Sequence, residues 1–377
     1  MRIGIVCYPT FGGSGVIATE LGMYMARRGH QVHFITYSQP VRLDLLEPNV
    51  YYHEVNVQDY PLFEYQPYEL ALSSKMVNVA IKYKLDLVHV HYAIPHAYAA
   101  FMAKQILADK GISLPVMTTL HGTDITLVGR NPSYKQAVNF SINHSDTVTT
   151  VSASLRDDTL NFFDISREIE VIPNFVDLCL YKSEECPNSF SEENERIISH
   201  VSNFRSVKRI SDVVKVFAKI YQNQPAVLLM MGDGPEKERS RELARELGVL
   251  HKVKYLGKTN DVERILCISD LFLLTSEKES FGLAALEAMG AGVPVISTNT
   301  GGLPEVNLNG VTGYTADVGD VETMAEKGLN LLQDEEKLQS FRHNARRQAE
   351  QFSIEKIGPL YEVAYQQLNA PAPLTRA

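Results

Sequence analysis

Asp270-Leu-Phe-Leu-Leu-Thr275, Glu279-Ser-Phe-Gly-Leu-Ala-Ala-Leu-Glu287 and Pro294-Val-Ile-Ser-Thr298 decide how this chain is read. The outer two are short apolar runs of the buried-strand type. The middle one turns at Ser280-Phe281-Gly282 and predicts a helix over residues 283–291, closed by Gly290 and Gly292 with Pro294 beyond. Strand, helix and strand in that order make one unit of a parallel sheet. On one continuous helix, residues eight apart lie about 80° around the axis and about 12 Å along it. Glu279 and Glu287 therefore do not close on a single atom as a catalytic carboxylate pair does. Glu279 is expected on the loop and Glu287 two turns into the helix, with the free N–H groups of the first turn between them. Those N–H groups suit an anion. Two hydroxyl-seeking carboxylates beside a phosphate cradle describe a grip on a sugar nucleotide. The competing reading is a solvated helix with two ordinary surface glutamates, and the surroundings decide between them.

Strands and helices alternate along the rest of the chain, which implies α/β architecture with parallel sheets covered on both faces. One strand series is expected at residues 2–7, 31–36, 87–91, 116–120 and 147–151, with a helix over 16–28 after the first. A second series follows at 197–201, 226–231, 253–256, 271–275 and 295–298. Glu170 to Asp177 is read as a crossing segment, Lys182 to Asn194 as a polar loop, and Pro371 to Ala377 as a frayed tail. At 377 residues, two domains are the natural expectation: two doubly wound Rossmann-like domains facing across a cleft, with ligands at the carboxyl ends of the strands.

Composition narrows the function classes. A net charge of −9 argues against a nucleic-acid-binding face, so no nucleic-acid partner is expected. No apolar run approaches the length of a membrane span, and Met1 to Cys7 is too short and wrongly flanked for a signal peptide. Cys7, Cys179, Cys186 and Cys267 form no C-x-x-C, which favours free thiols in a reducing compartment. A cytoplasmic protein without stable membrane association is expected, with a homodimer admitted but not required. No D-x-D occurs, so a metal-bridged diphosphate lacks its usual ligands, and no metal or other cofactor is expected. His89-Val-His91 places two imidazoles on one side of a strand, but with no third ligand at an obvious spacing packing is the better reading.

Ala291-Gly-Val-Pro-Val-Ile296, Gly301-Gly-Leu-Pro-Glu305 and Asn309-Gly-Val-Thr-Gly313 follow the E-x7-E segment, and Gly12-Gly13 and His121-Gly-Thr-Asp124 stand in the amino-terminal half. With these motifs the chain resembles the retaining glycosyltransferases of the GT-B fold, family 4, over nearly its whole length. The resemblance implies an acceptor-binding domain over residues 1–168, completed by a carboxyl-terminal helix in 354–377, and a donor-binding domain over 169–353. It further implies UDP-GlcNAc as donor and a small dicarboxylate, L-malate, as acceptor. In such an enzyme the departing phosphate takes the acceptor proton on the same face, so no side-chain base is required.

The resemblance implies a catalytic set of His121, Arg205, Lys208 and Glu279. His121 would face the donor sugar. Arg205 and Lys208 would supply positive charge where the leaving phosphate gains negative charge, with Arg209 as the alternative to Lys208. Glu279 would meet the hexose hydroxyls, Glu287 the ribose, and the amides of Phe281, Gly282 and Leu283 the sugar and phosphate. Gly13 would approach the diphosphate. Gly232-Asp-Gly-Pro235 and Gly257-Lys-Thr259 would frame the base. Ser14, Tyr92, Thr119, Arg130 and Asn174 are expected at cleft-facing strand ends or loops to receive the acceptor, with Arg130 as the fixed cation. Asp124 is read as orienting its loop.

Other readings remain in play. Gly12 to Ala18 contains a G-x-G-x-x-A pattern, but Tyr8 to Phe11 intervene after the strand and the second strand ends in Thr36-Tyr37-Ser38, without the carboxylate a nicotinamide dinucleotide needs. A lipid or polysaccharide acceptor would call for a basic amphipathic helix, for which Met76 to Lys84 is the mildly basic candidate. An epimerase acting on UDP-GlcNAc and a silent sugar-nucleotide sensor complete the set.

Overall fold

A computed structural model describes every residue except 11, 60, 182–188, 260 and 371–377. The expected tail and part of the expected 182–194 loop therefore lie outside the described residues. The chain divides into two compact units, Met1–Asn174 together with the segment from Ile354, and Phe175–Ser353.

The first unit holds a seven-stranded parallel sheet of β1 (Arg2–Val6), β2 (Gln31–Thr36), β3 (Val50–Glu54), β4 (Leu87–His91), β5 (Val116–Leu120), β6 (Thr147–Thr150) and β7 (Ile169–Val171). Its order is β3-β2-β1-β4-β5-β6-β7, so the direction of winding reverses between β1 and β4. The second unit repeats the pattern with β8 (Arg196–Val201), β9 (Ala226–Met231), β10 (Val253–Gly257), β11 (Leu271–Leu274), β12 (Val295–Thr298) and β13 (Gly313–Ala316). Here the order is β10-β9-β8-β11-β12-β13, with the reversal between β8 and β11. A reversal leaves a crevice at the carboxyl ends of the two strands that flank it, because their following helices leave on opposite faces.

The boundary falls between Asn174 and Phe175 rather than after residue 168. The reason is β7: Ile169 to Val171 pair with Val148 to Thr150 of β6, which ties the start of the presumed crossing segment into the first sheet. The final helix, Ile354–Leu368, packs in the first unit against the helix Ser14–Arg27. Gly358 makes that approach possible, since a Cβ there would meet the Tyr24 ring at 2.4 Å. Glu362 accepts hydrogen bonds from Arg28 Nε at 2.8 Å and pairs with His30 Nε2 at 3.0 Å.

In the second unit the helix Ile210–Tyr221 buries Ile210, Val213, Val214, Phe217 and Ile220 at helical spacing. The helix Val321–Leu332 lies against it, and Gly328 lets the two close, a Cβ there meeting Ile220 at 2.9 Å. In the first unit Met76, Val77, Val79 and Ala80 are buried on the helix Tyr68–Tyr83. The apolar side of the Met76 to Lys84 segment thus faces a protein core. No helix among the described residues is long and apolar enough to cross a membrane.

Five histidines, His33, His89, His91, His96 and His200, are buried, and His53 and His121 are half-buried. His33, His53, His96 and His200 are lowered from 6.5 to about 4, and His89 and His121 to about 3, in each case chiefly by burial. His91 is lowered well below that ordinary value by the same cause. In the folded state these rings stay neutral down to about pH 4, whereas the unfolded chain takes up protons below 6.5. Stability is therefore full above pH 6.5 and lost as pH falls toward 4. Asp124, raised by burial to about 6, acts in the opposite direction below that pH, but as one group against seven. Urea unfolding should give a midpoint that changes little above about pH 8, begins to fall near pH 7 and declines steeply from 6.5 to 4.5. The stability slope there should exceed about 1.4 kcal/mol per pH unit, the value for a single proton. A midpoint independent of pH across that window contradicts this assignment.

Candidate active site

At the reversal point of the second unit, two loops are stitched together. The loop after β8 runs through a tight turn, Ser206–Lys208, and the loop after β11 leads to the helix Leu283–Gly290. Thr275 Oγ1 donates to the carbonyls of Lys208 and Arg209 at 3.2 and 3.1 Å, and Glu277 N donates to Val207 O at 2.8 Å. Lys208 Nζ then donates to Glu279 Oε1 at 2.5 Å, and Ser276 Oγ donates to the same oxygen at 2.7 Å. Both charged side chains are largely buried, at 20 % and 13 % exposure, which strengthens the pairing relative to a surface pair. An ammonium has three N–H donors, so Lys208 keeps capacity for a second anion beside Glu279.

Arg209 has a different task. It adopts φ 49, an unfavourable region for a residue with a side chain, and its Nε donates to the buried Asp212 at 2.6 Å. Asp212 sits in the first turn of Ile210–Tyr221, where the helix dipole favours a carboxylate. The guanidinium is thereby directed onto its own helix, while Lys208 reaches Glu279. Arg205 is exposed, and no partner for its guanidinium is found among the described residues.

The glycine pair that follows β12 shapes the loop carrying Glu279. A Cβ on Gly301, at φ 58, would meet Glu279 O at 1.8 Å, and one on Gly302 would meet Ser280 O at 2.4 Å. Gly302 N donates to Glu279 O at 3.0 Å, while Thr298 Oγ1 and Thr300 Oγ1 donate to the carbonyls of Ser276 and Glu277. Only glycine permits this contact, so Gly301-Gly302 fixes the backbone of residues 276–281. Gly282, at φ 98, precedes the helix without a side-chain cap, and no acidic residue stands in the first turn. The N–H groups of a first turn have no partner within their own helix and favour an anion. Glu287 is the fifth residue of this helix, about one turn in rather than the expected two, because the helix starts at Leu283 and a turn takes 3.6 residues. The Phe281 side chain is buried and packs edge-on against Phe352 at 5.7 Å. The turn at Gly232 and Gly234 supports the Ser202 to Phe204 loop: Phe204 N donates to Asp233 O at 3.0 Å and Glu236 N to Phe204 O at 2.9 Å.

The first unit has its own constellation at the reversal between β1 and β4. Gly13, at φ 63, opens the helix Ser14–Arg27, again without a side-chain cap, and nothing lies within 4 Å of a Cβ placed on it. The close approach there belongs to Gly15, where a Cβ would meet Tyr8 O at 2.4 Å. Ser14 Oγ and Tyr92 Oη are 2.6 Å apart, and Tyr92 is held at φ 86, a strained position at the end of β4. Burial raises the Tyr92 phenol well above its ordinary value, so it stays protonated. Tyr8, which sequence reasoning did not single out, packs against Tyr92 and His96 at 5.4 and 4.6 Å. Asp124 joins two loops by accepting from Ala93 N at 2.8 Å and Gly122 N at 3.0 Å.

The remaining sequence candidates are dispersed. Thr119 does not present its hydroxyl to the surface as expected. It is fully buried in β5, with His89 Nε2 and Thr149 Oγ1 each at 2.7 Å, because a side chain on that face of a covered sheet points into the core. Arg130 is exposed and lies over the Phe162 ring at 4.4 Å. Asn174 is buried with its Oδ1 lacking a partner among the described residues. His89 Nδ1 pairs with Tyr365 Oη at 2.7 Å, so the His89-Val-His91 pair is built into the packing. Among the described residues no three His, Cys, Asp or Glu side chains are grouped to hold a metal ion.

Sequence and structural comparisons place the chain by family and by fold. The family model described as "Glycosyltransferase Family 4" matches residues 11–179, and that for "Glycosyl transferases group 1" matches residues 182–348. The chain is 47 % identical over 370 residues to N-acetyl-alpha-D-glucosaminyl L-malate synthase of Bacillus anthracis, covering 97 % of this chain and 96 % of the relative. In structure it is similar to a glycosyltransferase of Rickettsia africae, at a TM-score of 0.80 and 22 % identity over 97 % of this chain and 98 % of the other. It is also similar to the Anabaena protein HepE in complex with UDP and glucose, at 0.81 and 19 % over 97 % and 100 %. These two likenesses give the fold, and the Bacillus anthracis relative gives the family. The chain belongs to family 4 of the glycosyltransferases and has their GT-B fold, with two Rossmann-like domains.

Proposed function

We propose that this glycosyltransferase moves N-acetylglucosamine from UDP-GlcNAc to the hydroxyl of L-malate with retention of configuration, releasing UDP, in the cytoplasm and without a metal ion. The observation that carries the donor half is the uncapped helix at Leu283, set between Glu279 and Glu287 and beside Lys208. The acceptor half rests on the near-full-length identity to a relative named for GlcNAc and malate.

In this reading the amides of the 281–283 turn and the Lys208 ammonium receive the diphosphate, with the Arg205 guanidinium closing on it from the exposed side. Charge that develops on the leaving phosphate meets donors already in place, which lowers the barrier without reorganisation. Glu279 accepts from the hexose hydroxyls while staying anchored by Lys208 and Ser276, and Glu287 accepts from the ribose. In the first unit Ser14 and Tyr92 hold the acceptor, Gly13 leaves room for the diphosphate, and His121 positions the sugar. Arg130 and Asn174 are the further candidates for the acceptor carboxylates, whereas Thr119, enclosed beneath the strand end, holds His89 in the packing. The phosphate oxygen takes the acceptor proton as the new bond forms on the face the phosphate leaves.

An acceptor panel tests the whole reading. Malate and related hydroxy acids should differ sharply in UDP release, with malate preferred and an α-linked product. UDP release equal with and without acceptor, or a modified sugar formed from donor alone, overturns it. Arg205→Ala combined with Lys208→Ala should lower kcat by two to three orders of magnitude, about the effect of losing preorganised donors at a developing anion. Wild-type turnover in that double variant rules the leaving-group assignment out.

A further inference from the structure

The first unit contains an imidazole pair whose proton position can be read from its surroundings. His91 Nδ1 and His121 Nε2 are 2.8 Å apart, with the rings stacked at 5.1 Å. Both rings are neutral at physiological pH, since burial lowers each pKa far below 6.5. One proton therefore lies between the two nitrogens, and there are two ways to place it.

If His121 Nε2–H donates, then His91 Nδ1 accepts and the His91 proton sits on Nε2. That atom is fully buried and has no hydrogen-bond partner among the described residues. An orphaned N–H in a packed interior is the less tolerated defect, whereas an unused acceptor lone pair is met more often. If instead His91 Nδ1–H donates, Nε2 of His91 is a bare lone pair and His121 carries its proton on Nδ1. His121 is half-buried, and no partner for its Nδ1 is found among the described residues.

We infer that His91 is a positioning residue: its Nδ1–H fixes His121 in the Nδ1–H tautomer, so that His121 offers an outward hydrogen-bond donor to an oxygen of the bound sugar. The neighbours hold His91 in place for this. His96 Nδ1 donates to the His91 carbonyl, and the His89 ring lies 4.3 Å from the His91 ring. Asp124 anchors the loop that follows His121 by accepting from Gly122 N. The His96 tautomer is fixed by the same logic, because a carbonyl can only accept. The inference rests on the proposed glycosyl transfer only for what the donor meets, and not for where the proton lies.

Nitrogen-15 labelling of the histidines in the full chain, read by two-bond proton–nitrogen spectra, tests the tautomer without any substitution in the network. His121 should appear as Nδ1–H, assigned by the signal lost in His121→Gln. His91→Leu should shift His121 to a mixed or Nε2–H state and lower kcat/KM by about tenfold, the effect of one mispaired hydrogen bond. The signals of His33, which lies in the same unit and pairs with His53 rather than with this network, should stay unchanged and so report an intact fold. His91→Asn, whose amide nitrogen stands near the place of Nδ1, should recover most of that loss. An Nε2–H tautomer for His121 in the wild-type chain overturns the inference, as does equal impairment of the Leu and Asn variants with the Nδ1–H tautomer retained. Absence of transfer to malate in the wild-type chain would instead defeat the functional reading and leave the tautomer standing.

Discussion

Lys208 and Glu279 are 71 residues apart in sequence, and the loops that bring them together are the structure's central constraint. Their pairing depends on three layers of support. The strand order places the ends of β8 and β11 side by side, backbone and threonine hydrogen bonds join the loops, and Gly301-Gly302 sets the path of the Glu279 backbone. A largely buried ion pair of this kind costs desolvation, which the geometry offsets only while both partners stay in place. A site that already holds its charges in position does not reorganise when a phosphate departs.

The first unit solves a different problem with neutral groups. Its reversal point carries a protonated phenol, a serine hydroxyl and a chain of uncharged imidazoles, with the ionised Asp124 withdrawn beneath them to hold the loops. Neutral donors and acceptors orient hydroxyl-bearing ligands without competing for the diphosphate. Under the proposed function, fixed charge in the second unit would serve the leaving group and neutral hydrogen bonds in the first would serve hydroxyl-bearing ligands.

Much of this was legible in the sequence where local pattern and covered parallel strands coincide. The apolar runs at 271–275 and 295–298, the turn at Ser280 to Gly282 and the glycine pair at 301–302 each have one sensible reading. Three strands escaped. Val50–Glu54 is a half-exposed edge strand rich in Tyr and His, Ile169–Val171 is three residues long, and Gly313–Ala316 begins at a glycine where a Cβ would meet Val295 O at 1.9 Å. Each owes its form to the neighbouring strand more than to its own composition. That Lys208 reaches Glu279 while Arg209 turns to Asp212 was equally hidden, because it depends on Asp212 drawing one side chain away. Thr119 was misplaced for a related reason: its position at a strand end is local, but the burial of its face is set by the final helix, more than 200 residues later. Ser276, which shares the Glu279 oxygen, carries no signal beyond its place three residues earlier.

The account depends above all on the second unit gripping a nucleoside diphosphate sugar at its reversal point. A crystal structure with UDP-GlcNAc bound tests this most directly. The account predicts phosphate oxygens on the amides of the 281–283 turn and on Lys208, hexose hydroxyls on Glu279 and ribose hydroxyls on Glu287. A donor lodged elsewhere, with the Lys208–Glu279 pair untouched, would contradict it.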